Sequence, residues 1–261
     1  LGMGGAFIAV ADDATAASWN PGGLTQLERP EISLVHDFDF FTENIRSKEH
    51  FGLNSSDVLD LNGVNYLSVA WPIPWTIAGR NLVLSLNYQR KYDFDRDINV
   101  DFNKLGALPG GGLATTFSDI RYRQRGELAA LSPAFGFEIT NRISVGAVLN
   151  LYYHDILPNN EWEIRQEERA HSLINGTFAA FNQAKLRVEK NYENFDGMNF
   201  TVGVLIKPTE RLSIGAVYHS KLKARVKYTE VVRLSQIGAM PGYTRSVRPL
   251  QYDFPSAFGI G

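Results

Sequence analysis

Histidine, carboxylate and hydroxyl side chains could carry catalysis, but here they do not assemble into a known constellation. The five histidines, His36, His50, His154, His171 and His219, stand far apart with no ligand-like spacing. There is no Gly-x-Ser-x-Gly elbow, no His-Glu-x-x-His and no phosphate-binding loop. The absence of Cys removes thiolate nucleophiles, thiolate metal sites and disulfides. His219 with Asp155 could serve as an acid–base pair on a barrel rim, although chance placement explains the pair better. The expectation is no enzyme, no metal and no cofactor. One charge pattern remains: Lys221, Lys223, Arg225 and Lys227 recur at period two, so on a strand all four point the same way. Such a row suits a carboxylate if it faces an enclosed interior, and phosphate groups if it lies on a solvated outer end.

Composition narrows what holds these side chains. The chain has 261 residues, with 26 Lys plus Arg against 28 Asp plus Glu. That balance gives no basic surface for nucleic acid. A mean hydropathy of −0.18 excludes a bundle of membrane helices, while 23 Gly and 12% aromatic residues suit an all-β chain with many turns. Residues 61–79 lack charge over about the length of a spanning helix. Pro72 and Pro74 break that helix, and residues 64–69 alternate as a strand does.

Long period-two alternation dominates the sequence. In residues 81–94, Leu82, Leu84, Leu86 and Tyr88 share one face, and Val83, Ser85, Asn87, Gln89 and Lys91 the other. In residues 143–155, Ile143, Val145, Ala147, Leu149 and Leu151 oppose Ser144, Gly146, Asn150 and Tyr152. In residues 212–228, Leu212, Ile214, Ala216, Tyr218, Leu222, Ala224, Val226 and Tyr228 oppose Ser213, Gly215, His219 and the four cations. Soluble strands average about 5–6 residues. Longer alternation, apolar on one face, is what a membrane barrel needs, with lipid outside and a polar lumen inside. A soluble β-sandwich or lipocalin-like barrel is the alternative.

About eight strands are expected, near 30–42, 63–73, 81–94, 120–140, 143–155, 198–207, 211–230 and from 249. Tight turns at 140–142 and 207–211 alternate with long links at 43–62, 95–119, 156–197 and 231–248. Short periplasmic turns and long extracellular loops give outer-membrane barrels this asymmetry. Within 161–186, Ala170, Leu173, Ile174, Phe178 and Phe181 recur at three- and four-residue spacing, which predicts an amphipathic helix in that loop.

Residues 1–29 do not alternate. Their opening glycines fail as a dinucleotide fingerprint, because the third Gly and a preceding strand are missing. The stretch Gly2–Leu24, with Ala11-Asp12-Asp13 followed by Asn20-Pro21-Gly22-Gly23-Leu24, closely resembles the N-terminal hatch of the FadL family. These are outer-membrane channels for long-chain fatty acids and other hydrophobic molecules. Residues 141–146, 221–227 and 252–257 match more loosely. Gly22 stands where the family commonly has Ala.

The resemblance implies an all-β fold, a transmembrane antiparallel β-barrel plugged by a hatch, with residues 1–29 as hatch and 30–261 as the first part of the wall. The family's barrel has fourteen strands, so the chain reads as the N-terminal portion of a longer protein, exported with a removed signal peptide to a bacterial outer membrane. Asp12, Asp13, Asn20, Pro21 and Gly22 fall on the hatch and its gating element. Trp162, Leu173, Ile174, Phe178 and Phe181 are the expected apolar capture groove, with Lys221, Lys223 and Arg225 the expected partners of a carboxylate. The implied function is passive uptake of hydrophobic molecules, long-chain fatty acids first, by a monomeric barrel contacting outer-membrane lipid and lipopolysaccharide. The alternatives are an aromatic-hydrocarbon channel and an adaptor of the type IX secretion kind, holding a protein partner on its extracellular loops. The family's third strand is interrupted by a kink that opens a lateral gap; residues 81–94 contain no Gly or Pro, so no such kink is visible in the sequence.

Overall fold

The structure is a computed structural model that describes residues 6–46, 54–75, 79–108, 111–175, 177–178, 183–236 and 239–261. The described residues are all-β, 75% strand and 6% helix, with one large antiparallel sheet curled into a half-barrel. The strands are β1 (Glu31–Arg46), β2 (Asn54–Pro72), β3 (Leu82–Asp93), β4 (Arg96–Ala107), β5 (Leu113–Thr140), β6 (Ile143–Leu151) and β7 (Glu161–Ile174). Then follow β8 (Thr177–Phe178), β9 (Ala184–Asp196), β10 (Met198–Thr209), β11 (Leu212–His219), β12 (Leu222–Gln236), β13 (Gly242–Phe254) and β14 (Ala257–Ile260). No helix among the described residues is long and apolar enough to cross a membrane.

Several strands are halves of one pass of the chain. β3 and β4 pair in turn with the lower and upper halves of β5, as β6 and β7 do on its other side. β10 and β9 pair with β6 and β7, β11 and β12 continue beside them, and β14 and β13 pair with β11 and β12. With β1 and β2 the sheet is therefore an up-and-down meander in which each pass pairs with its sequence neighbours. The register follows directly from turn length: only residues 141–142 separate β5 from β6, and 210–211 separate β10 from β11.

Alternation sets two unlike faces on the lower half of this sheet. The convex face shows Leu67, Val69 and Trp71 of β2, Leu84 and Leu86 of β3, and Phe135 and Ile139 of β5. It continues through Leu149 of β6, Met198, Phe200 and Val202 of β10, Leu212, Ile214 and Tyr218 of β11, and Phe258 and Ile260 of β14. No charged residue interrupts these outward series. At about 3.3 Å per residue and a barrel-like tilt, this belt stands about 20–25 Å tall. The upper half differs: its convex face carries opposed charges, such as Arg123–Asp97 at 3.0 Å, Arg187–Glu189 at 2.6 Å and Arg233–Glu189 at 2.8 Å.

The long links expected from the sequence are mostly strand. Residues 43–46, 54–62, 96–107, 113–119, 161–174, 184–196 and 231–236 extend the ladders upward, so tall hairpins stand where loops were expected. The helix expected within 161–186 is also absent from the described residues, which there form β7, β8 and the start of β9. Trp162 and Ile164 pack inward while Glu163, Arg165 and Glu167 enter ion pairs. A strand with few apolar residues leaves the three- and four-residue spacing of Ala170, Leu173, Ile174 and Phe178 looking helical.

A band of irregularities separates the two halves. The β3–β5 register shifts between Arg90 and Tyr92, and β3 gives way to β4 at residues 94–95. Gly126 has φ +120°, and a Cβ there would lie 2.0 Å from the carbonyl oxygen of Glu161. Asn194 has φ +57° beside the shift between Arg225 and Lys227. The third pass is thus interrupted without any Gly or Pro, so its sequence carries no sign of the break. β2 pairs with β3 only from Tyr66 to Pro72, and no ladder joins β2 to β4 among the described residues.

The break at residues 220–221 reverses the expected facing of the cation row. Val217 and His219 face the concave side, and Leu222, Ala224, Val226 and Tyr228 face it next, each at most 5% exposed except Val217 at 6% and half-buried His219. Lys221, Lys223, Arg225 and Lys227 therefore lie exposed on the convex face, not inside. One extra residue at the break is enough to exchange the faces of everything after it.

Candidate functional site

The concave interior is built in three layers, the lowest from residues 6–27. This segment forms a short 3-10 turn (Ala6–Ala9), helix α1 (Ala16–Trp19) and a second 3-10 turn (Pro21–Gln26). Small residues let it pack tightly: Ala11, Ala14, Ala16, Ala17 and Leu24 are buried with Ala70, Val83, Ala134 and Val148 of the sheet.

Glycines make the docking surface. Gly136, Gly146 and Gly203 stand side by side in register on β5, β6 and β10. A Cβ at Gly146 would lie 2.3 Å from the Pro21 carbonyl, and one at Gly203 would lie 2.1 Å from Oδ1 of Asn20. Gly215 leaves similar room for the backbone of Ile8, at 2.4 Å. Asn20 is fully buried and fully bonded. Its Nδ2 donates to the carbonyls of Val204 and Ile8, both at 2.9 Å, and its Oδ1 accepts from Gly22 N–H at 3.1 Å. Pro21 and Gly22 are buried beside it, the carboxylate of Asp13 accepts from Thr15 N–H at 2.8 Å, and exposed Asp12 lines a cavity beneath. That cavity, about 880 Å³, is largely polar, with Glu138, Arg142 and Lys207 also on its wall.

Above the segment runs a belt of polar side chains that crosses six passes. Tyr66 and Ser68 donate to Oδ1 of Asn87, whose Nδ2 donates to Ser85 and to the Ser132 carbonyl. Ser132 donates to Asn150, Asn150 donates to Asn199, and Thr201 meets His219 Nδ1 at 2.8 Å. The single proton of the Tyr66 hydroxyl is shared between Asn87 Oδ1 and the Ala14 carbonyl, each at 2.8 Å, which ties the belt to the segment. Buried amides without partners would each cost about 1–3 kcal/mol, so the belt's closure is what permits polarity here.

The upper layer is aromatic. Phe94, Trp162 and Tyr192 stack in series at 4.9 and 4.8 Å, and Tyr192 meets Tyr228 at 4.9 Å and Tyr252 at 5.6 Å. Burial, reinforced by Tyr252, Tyr228 and Glu230, pushes the Tyr192 phenol well above its ordinary value, so it stays neutral. Lys91 lies at the level of the bulge, its Nζ donating to Gln89 Oε1 at 2.5 Å, close enough to His219 for their charges to interact.

Of the expected capture residues, Trp162 belongs to this aromatic layer. Leu173 and Ile174 lie at the far end of β7, about 40 Å away along the strand, and as successive strand residues they face opposite ways. Phe178 pairs through its backbone with Leu173, and Phe181 lies outside the described residues. Trp162 is therefore not gathered with Leu173 and Ile174, and the cation row is not in the interior. What the sequence reading missed, Lys91 and the aromatics Tyr92, Phe94, Tyr192 and Tyr252, carried a signal only in part. Lys91 already stood on the polar side of its strand, whereas the aromatics sit beyond bulges that alternation does not reveal.

Fold and interior together define a class: a curled antiparallel β-sheet with an apolar convex belt, wrapped around its own N-terminal segment. No family model, curated protein or solved structure matches the chain.

Proposed function

We propose that the chain forms part of an outer-membrane β-barrel that passes hydrophobic molecules, long-chain fatty acids first, through an interior closed by residues 6–27. The observation that carries this reading is the uncharged convex belt, whose height matches the apolar band of a membrane barrel and which ends where the convex surface becomes charged. Closed β-structure is the strand solution to crossing lipid, because every backbone group finds a partner within the sheet. The aromatic layer supplies an apolar surface at the outer end, Lys91 supplies a cation that a carboxylate can meet, and the N-terminal segment acts as a hatch that must shift for passage. Among the described residues no ladder joins β2 to β4, between the second and third passes, and it is along the third pass that the resembled family opens its wall sideways.

The test is uptake of a labelled long-chain fatty acid by cells lacking their own uptake system, with and without the full-length protein. Saturable uptake that depends on the protein supports the reading; uptake at background in cells that display the folded protein refutes it.

The tall hairpins favour a second reading. β5 alone has 28 residues, so it reaches far past the belt, and its charged upper face suits an adaptor that holds a partner protein. Stoichiometric co-purification of another envelope protein, without uptake, would decide for it.

A further inference from the structure

We infer that Lys221, Lys223 and Arg225 form a binding surface for the phosphorylated headgroup of an outer-leaflet lipid. The inference rests on the membrane reading and goes beyond it. Three observations carry it.

All three side chains are exposed on the convex face, with same-face neighbours about 7 Å apart. None makes an ion pair or hydrogen bond among the described residues, whereas every Lys or Arg on β5, β7 and β9 has a carboxylate within 4.0 Å. The row also begins directly above the upper rim of the apolar belt, where the rings of Phe200 and Tyr218 lie 6.2 Å apart. Rings at that level sit among lipid glycerol and carbonyl groups, so cations one step higher stand at headgroup phosphates.

The neighbouring acids do not cancel the row. Asp253 stands opposite Lys223 and accepts from Gln251 at 2.7 Å, and Asp196 stands opposite Arg225. Beside the row, a shallow groove of about 470 Å³ is lined by Arg225, Lys227 and Pro249, with Asp196 on its wall. It is open to the convex side, so a headgroup can enter from the bilayer plane while its chains lie on the belt below. A free phosphate would gain the charges but not the belt.

The test uses the full-length protein reconstituted in phosphatidylcholine bilayers containing bis-phosphorylated lipid A, or lipid A with its phosphates removed. Lipid retained through detergent extraction is read by native mass spectrometry. Wild-type protein should retain phosphorylated lipid A at least about tenfold better than the triple variant Lys221→Gln, Lys223→Gln, Arg225→Gln. It should hold the dephosphorylated form no better than the variant does, and excess inorganic phosphate should not displace the bound lipid. Equal retention by wild type and variant, or equal retention of the two lipids, overturns the inference while leaving the membrane reading intact. Wild-type protein that enters none of the bilayers overturns both.

Discussion

Asn20 and Gly203 meet where the N-terminal segment touches the sheet, and the amide fits there only because Gly203 has no side chain: a Cβ would lie 2.1 Å from Oδ1. The same amide spans the join, bonding Ile8 within the segment and Val204 on the wall. One residue therefore couples the internal shape of the segment to its seat.

Asn20→Leu removes three buried hydrogen bonds, to the carbonyls of Val204 and Ile8 and from Gly22 N–H, and should cost about 3 kcal/mol. Urea titration of the reconstituted protein measures this. Gly203→Val instead blocks the seat, so residues 6–27 should become accessible to protease while the sheet stays folded. If the segment is equally resistant in both proteins, the glycine row is not its seat.

The sequence carried the lower half of the fold well and the upper half poorly, for a physical reason. Below the band of bulges, one face of each strand is buried and the other is apolar, so Leu84 against Ser85 or Leu149 against Asn150 reads correctly. Above it, solvent reaches the convex face and charges are paired across strands, which leaves β7 without a clean period. The cation row was misplaced because the break at 220–221 inserts one residue, and alternation counted through it puts each later side chain on the wrong face. Asn20 was legible as part of the N-terminal segment, but its seat on the sheet was not. The glycines that make it, Gly136, Gly146 and Gly203, become a row only once the register of three strands is known.

Leu84 belongs to the belt and Gln89, half-buried on the same strand, faces the interior. Leu84→Arg should lower folding yield in bilayers by the equivalent of roughly 2–4 kcal/mol, and Gln89→Glu, which keeps an acceptor for Lys91, by much less. Heat-modified mobility on gels reports the folded fraction. Equal losses would mean that the convex belt does not face lipid.

Carboxylate recognition should follow Lys91 rather than the outward row. Lys91→Gln should slow uptake of fatty acids and spare neutral hydrocarbons of similar length, whereas the triple Gln variant of Lys221, Lys223 and Arg225 should leave both rates unchanged. Uptake of radiolabelled oleate and hexadecane, measured side by side, separates the two. A fatty-acid defect confined to the triple variant would return the carboxylate site to the outer row.

The stacked aromatics should matter to every ligand. Trp162→Ala removes the ring between Phe94 and Tyr192, with about 0.5–1.5 kcal/mol of ring contact beyond its burial. Uptake of acids and neutral hydrocarbons should fall together, visible as a common rise in the half-saturating concentration. A loss for only one class would show that the layer does not form the shared path.

Under the proposed uptake function residues 6–27 must move for a ligand to pass, and one crosslink tests that directly. Thr25 Oγ1 donates to Ser144 Oγ at 2.9 Å, joining the segment to β6, and the chain has no Cys of its own. In the Thr25→Cys, Ser144→Cys variant, fatty-acid uptake should fall to background when the disulfide is formed and return to the wild-type rate when it is reduced. Wild-type uptake with the crosslink fully closed would contradict the account.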